Sequence, residues 1–95
     1  MTLQIDKAND NIIIYLQDKF DFSSADDFKN AYENNEEAEY TVDFRDTNYM
    51  DSSGLGILLN MKRSVGDKKI SLINCKSQIK KVLIISRFDE QFDIT

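Results

Sequence analysis

The 95-residue chain contains no histidine, no proline and a single cysteine, Cys75. Without histidine, the usual neutral-pH general base and the commonest metal ligand are both missing. Ser-His-Asp and Cys-His catalysis cannot be assembled within it, which weighs against a hydrolase. One cysteine excludes an internal disulfide and a thiolate metal cage. Placed at the end of the run Ile70 to Asn74, Cys75 reads as a small buried hydrophobe rather than a reactive thiol. The lack of proline, low-complexity tracts, linkers and internal repeats favours one compact unit over residues 1–95. No apolar run approaches the roughly 20 residues of a membrane span. The start, Met-Thr-Leu-Gln-Ile-Asp, lacks the basic region and apolar core of a secretory signal. A cytoplasmic protein without a membrane partner is the expectation.

What is present is a folded-domain composition, with 41% hydrophobic and 31% charged residues. The net charge of −5 conceals an asymmetry: residues 1–51 carry 13 acids against four bases, net −9, and residues 52–95 carry four acids against eight bases, net +4. The acidic total argues against direct nucleic-acid binding, which depends on neutralising phosphates. The split either gives the fold two faces of opposite sign or is solvated charge spread around a globule.

Along the chain, Leu3 and Ile5 alternate with polar neighbours, Asn9-Asp10-Asn11 supplies turn chemistry, and Ile12 to Leu16 is a β-branched run, together an antiparallel hairpin. The run Ile12 to Leu16 is apolar on both faces, as suits a sheet interior. Ser23 and Ser24 precede Ala25-Asp26-Asp27-Phe28 as an N-cap with acids in the first turn. Ala25, Phe28, Ala31 and Tyr32 fall at helical spacing, and that helix fades in Asn34-Asn35-Glu36-Glu37. Tyr40 to Phe44 is a strand and Arg45-Asp46-Thr47-Asn48 a polar loop. A second helix runs from about Ser53 to Val65, on the pattern Leu55, Leu58, Leu59, Met61 and Val65, with Gly66 as C-cap. Lys69 to Asn74 alternates like a strand. Ser77 caps a third helix reaching about Arg87, with Ile79, Val82, Leu83 and Ser86 on its inner stripe, and Phe88 and Phe92 pack the C-terminal end against the sheet. The order predicts an α/β domain: a mixed sheet with an N-terminal hairpin, parallel strand-helix-strand units and about three main helices. Functional loops of such sheets lie beyond the carboxyl ends of the strands. Asp21, the stretch Asp46 to Ser53, and Cys75 to Ser77 all follow such ends, so one surface can gather all three.

The stretch Met50-Asp51-Ser52-Ser53-Gly54-Leu55-Gly56 joins a strand to a helix start. Taken alone, Asp-Ser-Ser-Gly is an ordinary turn with a serine N-cap, beside glycines that admit another backbone or a phosphate. In context, Met50 to Leu59 resembles the phosphoacceptor loop of the STAS domain, in particular that of the anti-anti-sigma factors, also called anti-sigma factor antagonists. The resemblance extends over nearly the whole chain, and its most specific part is Asp51-Ser52-Ser53-Gly54-Leu55-Gly56.

That resemblance implies a non-enzymatic, cofactor-free regulator whose Ser52 is phosphorylated by its partner, an anti-sigma factor with serine kinase activity. The unphosphorylated form binds the anti-sigma factor and releases sigma; phosphorylation ends binding, and a serine phosphatase restores it. It places Ser52 at the phosphoacceptor, with Ser53 as the competing acceptor, and Asp21, in Phe20-Asp21-Phe22, at an acidic position before the first helix. Asp21, Asp51, Ser53, Gly54, Leu55 and Gly56 become partner-binding candidates; Asp51 either orients the Ser52 hydroxyl or is a turn residue, and Leu55 and Ile57 equally suit core packing. Lys76-Ser77-Gln78 departs from the family, whose members often carry a proline-containing helix start there. A weak homodimer stays open. So does a different role, a STAS scaffold or regulatory subunit of a signalling or transport assembly without sigma output. A magnesium-dependent phosphotransfer receiver is a third reading, from Asp43, Asp46 and Asp51 near strand ends, although the acidic pair such receivers need after the first strand is lacking.

Overall fold

The computed structural model describes residues 3–8, 10–33 and 39–95. The opening hairpin is strand β1, Gln4–Ala8, antiparallel to β2, Asn11–Tyr15. The short strand β3, Lys19–Phe20, leads through a 3-10 turn, Phe22–Ser24, into helix α1, Ala25–Tyr32. Strand β4, Glu39–Asp43, and short strand β5, Tyr49–Met50, precede helix α2, Ser52–Val65. Strand β6, Ile70–Ile73, helix α3, Ser77–Ile85, a 3-10 turn, Phe88–Glu90, and strand β7, Asp93–Ile94, complete the order. The expected turn residue Asn9 and the fading of α1 in Asn34 to Glu37 lie outside the described residues.

Five strands form a mixed sheet in the order β1-β2-β4-β6-β7, parallel except for β1, and β3 pairs separately with β5 in parallel. This is the α/β architecture the element order predicts. The three smallest strands, β3, β5 and β7, were not legible as strands, since two residues carry no alternation.

One face of the sheet faces the helices. Register aligns Ile12 with Tyr40 and Ile70, and Ile14 with Val42 and Leu72, and all six are buried. They join Phe28 and Tyr32 of α1, Leu58, Met61 and Val65 of α2, and Ile79 and Leu83 of α3 in one core. The opposite face carries Ile13, Thr41 and Ser71 in register, all half-buried. β2 is interior in strand order, but only one of its faces is fully covered, which corrects the reading of a strand buried on both sides.

The third helix also departs from expectation. Val82 and Ser86 lie outside rather than on the inner stripe, and Ile84 and Ile85 are exposed as well. The helix buries only the narrow stripe of Ile79 and Leu83, one turn apart. It ends at Ile85 because Arg87 turns left-handed, at φ 62°. Phe88 and Phe92 then stack at 5.4 Å and bury the C-terminal end as expected.

Candidate functional site

Two short parallel strands aim the site. β3 and β5 align Lys19 with Tyr49 and Phe20 with Met50. Alternation turns Phe20 and Met50 inward and leaves Lys19 and Tyr49 exposed. Each strand runs directly into an aspartate that caps the next helical turn. Asp21 Oδ1 accepts from the Ser23 amide at 3.0 Å and from the Ser23 hydroxyl at 2.6 Å. Asp51 Oδ1 accepts from the Ser53 amide at 3.0 Å, the Ser53 hydroxyl at 2.5 Å and the Gly54 amide at 3.3 Å. The chain therefore carries the same Asp-x-Ser turn twice, side by side, where the sequence had shown no repeat.

Four sequence expectations change here. The α2 N-cap is Asp51, so α2 starts at Ser52, one residue before the predicted start, and no serine caps it. A carboxylate accepts more strongly than a hydroxyl and its charge suits the helix N-terminus. Likewise Asp21 caps the 3-10 turn, whereas Ser24 precedes α1 with no side-chain cap bond and sends its hydroxyl toward the Lys19 carbonyl at 3.4 Å. Ser77 is the first residue of α3 behind Lys76, again without a side-chain cap. Finally, Asp51 does not orient Ser52: its bonded side-chain partner is Ser53.

The two serines are thus unlike. Ser52 is exposed at the first position of α2, and no hydrogen bond engages its hydroxyl among the described residues. Ser53 is half-buried and its proton is committed to Asp51. The Ser53 hydroxyl bond is the main cause that holds the Asp51 carboxyl below its ordinary value, helped by the amides of Gly54 and Ser53.

Gly54 is required for a close approach. A Cβ there would lie 2.6 Å from the Phe20 carbonyl oxygen and 2.8 Å from Met50 Cγ, so the first turn of α2 sits directly on both short strands. Gly56 has open space around the same position. Leu55 and Ile57 are half-buried and pack against the core, each keeping part of its surface exposed.

The neighbouring loops are tied together as expected. Asn48 donates through Nδ2 to Asp18 Oδ1 at 2.8 Å, and Lys76 Nζ donates to Asn48 Oδ1 at 2.6 Å. The fully buried Thr47 donates its hydroxyl to the Gln17 carbonyl at 2.8 Å. The loops after β2, β4 and β6 therefore share one surface. Thr47 is a positioning residue that a polar tetrapeptide concealed; nothing in its composition separates a buried threonine from its exposed neighbours.

The carboxylates of the receiver reading do not converge. Asp43 is buried and accepts from the Arg45 amide at 2.9 Å, Arg45 Nε at 3.0 Å and Asn74 Nδ2 at 3.1 Å. Burial pushes its carboxyl up, and these bonds outweigh burial and hold it below the ordinary value. Among the described residues no group of three or more His, Cys, Asp or Glu side chains is placed to hold a metal ion. No helix among them is long and apolar enough to cross a membrane.

A family model for the STAS domain matches residues 2–95. The chain belongs to the STAS domain family. A STAS-domain containing protein of Pseudomonas aeruginosa (strain UCBPP-PA14) is 40% identical over 88 residues, covering 88% of this chain and 87% of that protein. Among solved structures, the anti-sigma factor antagonist SpoIIAA in its unphosphorylated form superposes with a TM-score of 0.83 at 18% identity, over 99% of this chain and 88% of that one. The Bacillus cell fate determinant SpoIIAA in the phosphorylated form gives 0.71 at 17% identity, over 99% and 91%. This STAS chain therefore shares its fold with a protein solved on both sides of a phosphorylation.

Proposed function

We propose that this STAS domain is a cytoplasmic partner-switching regulator controlled by phosphorylation of Ser52. In its unphosphorylated form it binds and sequesters an anti-sigma factor that is also a serine kinase; phosphorylation abolishes that binding, and a serine phosphatase restores it. The observation that carries the reading is the contrast within the serine pair: Ser52 offers a free, exposed hydroxyl on a rigid helix start, and Ser53 does not. The likeness to an anti-sigma factor antagonist solved with and without phosphate supports the choice of partner.

The chain acts as a substrate rather than an enzyme. The Ser52 oxygen bonds to the γ-phosphorus of ATP, the bond from that phosphorus to the β-γ bridging oxygen breaks, ADP leaves, and the hydroxyl proton passes to a base of the kinase. ATP, magnesium and charge stabilisation come from the kinase, so the acceptor need only be exposed and well placed. Phosphate adds about −1.5 to −2 charges. At the first residue of α2 that charge meets free amides and the favourable end of the helix dipole, so the fold persists. The switch acts at the interface, where a partner surface shaped around a neutral serine meets an anion that needs solvation.

A pull-down from the source cell with wild type, Ser52→Ala, Ser52→Asp and Ser53→Ala as baits tests the reading. A small ATP-binding kinase retained by wild type, Ser52→Ala and Ser53→Ala but lost with Ser52→Asp is the expected result. Capture indifferent to position 52, or capture of transport subunits, overturns it in favour of a constitutive scaffold.

A further inference from the structure

Phe22 is 80% exposed, the most exposed of the large hydrophobic residues among those described. The turn that carries it is tied down on both sides. Asp21 fixes the following amide and hydroxyl of Ser23, the Ser24 amide donates to the Asp21 carbonyl at 3.0 Å, and the 3-10 turn that contains Phe22 packs against α2. An exposed aromatic whose backbone is already ordered loses less entropy on docking than one on a free loop.

Its place is set by the twin turns. β3 and β5 run parallel in register, and neighbouring strands lie roughly 4.8 Å apart. Asp21 and Asp51 follow them in equivalent positions, so the residue after each aspartate, Phe22 in one turn and Ser52 in the other, leaves the same edge of the fold. Both are exposed. Tyr49, 48% exposed and two residues before Asp51, extends the same surface.

Beside Ser52, Phe22 offers more exposed apolar surface than Tyr49, and the polar groups nearby are partly taken up. Asp21 and Asp51 each commit Oδ1 to their own turn, Ser53 is engaged, and Gly54 is buried. Interface energy concentrates in aromatic anchors that fill pockets. We propose that Phe22 is the specificity anchor through which the Ser52 kinase recognises this chain, entering an apolar pocket of the kinase beside the cleft that receives Ser52. The proposal rests on the phosphoacceptor reading above and names a determinant within it. The exposed aliphatics of α3, Ile84 and Ile85, form a separate apolar patch next to Lys80 and Lys81, and that patch serves as the control.

The test is labelling of the purified full chain by ATP-supplemented extract of the source cell, with phosphate at Ser52 read by mass spectrometry of the peptide. Wild type is labelled, Ser52→Ala is not, and Phe22→Ala is labelled about 30-fold more slowly, the loss expected for an anchor residue. Unlabelled Ser52→Ala competes against wild type; Ser52→Ala with Phe22→Ala competes about 30-fold less well, and Ser52→Ala with Ile85→Ala competes fully. Unchanged thermal melting of Phe22→Ala shows that docking, and not folding, is affected. Wild-type rates and full competition without Phe22 overturn the anchor and leave the phosphoacceptor reading standing. Label that persists in Ser52→Ala, or its absence from wild type, overturns that reading and the anchor with it.

Discussion

Ser53 donates its hydroxyl proton to Asp51 Oδ1 at 2.5 Å, and this bond decides which of two adjacent serines is available. Asp51 thereby performs two tasks, capping α2 and engaging the Ser53 hydroxyl. Asp51→Ala removes both. Loss of a carboxylate N-cap lowers the melting temperature by roughly 5 °C. If Ser52 is the phosphoacceptor as proposed, the freed Ser53 hydroxyl becomes a second acceptor, and mapping of phosphopeptides finds label at both positions. Asp51→Asn keeps an acceptor oxygen at the cap and retains most of the stability. Label confined to Ser52 in Asp51→Ala contradicts the account of Ser53.

The two glycines after the serine pair play opposite structural parts. In Gly54→Ala the new methyl meets the Phe20 carbonyl oxygen, a backbone atom that cannot rotate away, and Met50 Cγ. Helix α2 must shift off the short strands, at a cost of about 2 kcal/mol or more. Gly56→Ala meets nothing within 4 Å in a helix interior. Replacing glycine there stabilises by roughly 0.5–1 kcal/mol. Urea unfolding of the two variants should therefore move in opposite directions from wild type. Equal destabilisation by both shows that the close packing at Gly54 is not special.

Sheet and helices were legible because their patterns are long. Ile12 to Leu16 is an unbroken run rich in β-branched residues, Tyr40 to Phe44 alternates, and Leu58, Met61 and Val65 keep helical spacing, each long enough to reveal the element. The site was legible only in part. Asp51-Ser52-Ser53-Gly54 marked the place, but which residue caps the helix depends on which side chain reaches the free amides, a competition that spacing alone does not resolve. The pairing of β3 with β5 depends on two residues in each strand, and without it the likeness of Asp21-Phe22-Ser23 to Asp51-Ser52-Ser53 has no spatial meaning. The outward turn of Val82 had no local signal either, since α3 is apolar on more sides than it buries.

The sequence marks Cys75 as a small buried hydrophobe rather than a reactive thiol, and the structure buries it only in part. Burial pushes its thiol from an ordinary 9.0 up to about 11, against a smaller opposing effect of Lys80. Because the thiolate is the nucleophile, a rise of this size lowers the reactive fraction at neutral pH by about 100-fold. Disulfide-exchange labelling of the native protein at pH 7 should be slower than labelling in urea by roughly tenfold or more, because the greater nucleophilicity of a higher-pKa thiolate recovers part of the loss. Equal rates in the two conditions contradict the burial of Cys75.

Asp43 supplies a pH dependence whose sign is set by its surroundings. Its carboxyl lies below the ordinary 3.8 because the bonds from Arg45 and Asn74 outweigh burial. A group depressed in the fold binds its proton more readily in the unfolded chain. Its contribution is therefore present in full above the unfolded value near 3.8 and is lost as pH falls through the lower folded value. Asp51, also depressed, acts in the same direction. Asp43→Asn isolates the first effect, since an amide keeps the shape and cannot ionise. Urea unfolding at pH 7 should show wild type clearly more stable than Asp43→Asn, and the gap should close as pH drops below about 4. Other carboxylates titrate alike in both proteins and cancel in the difference. A gap of constant size from pH 7 to pH 3 means that the stabilising role of Asp43 lies in packing, with its charge balanced by the cost of burying it beside Arg45.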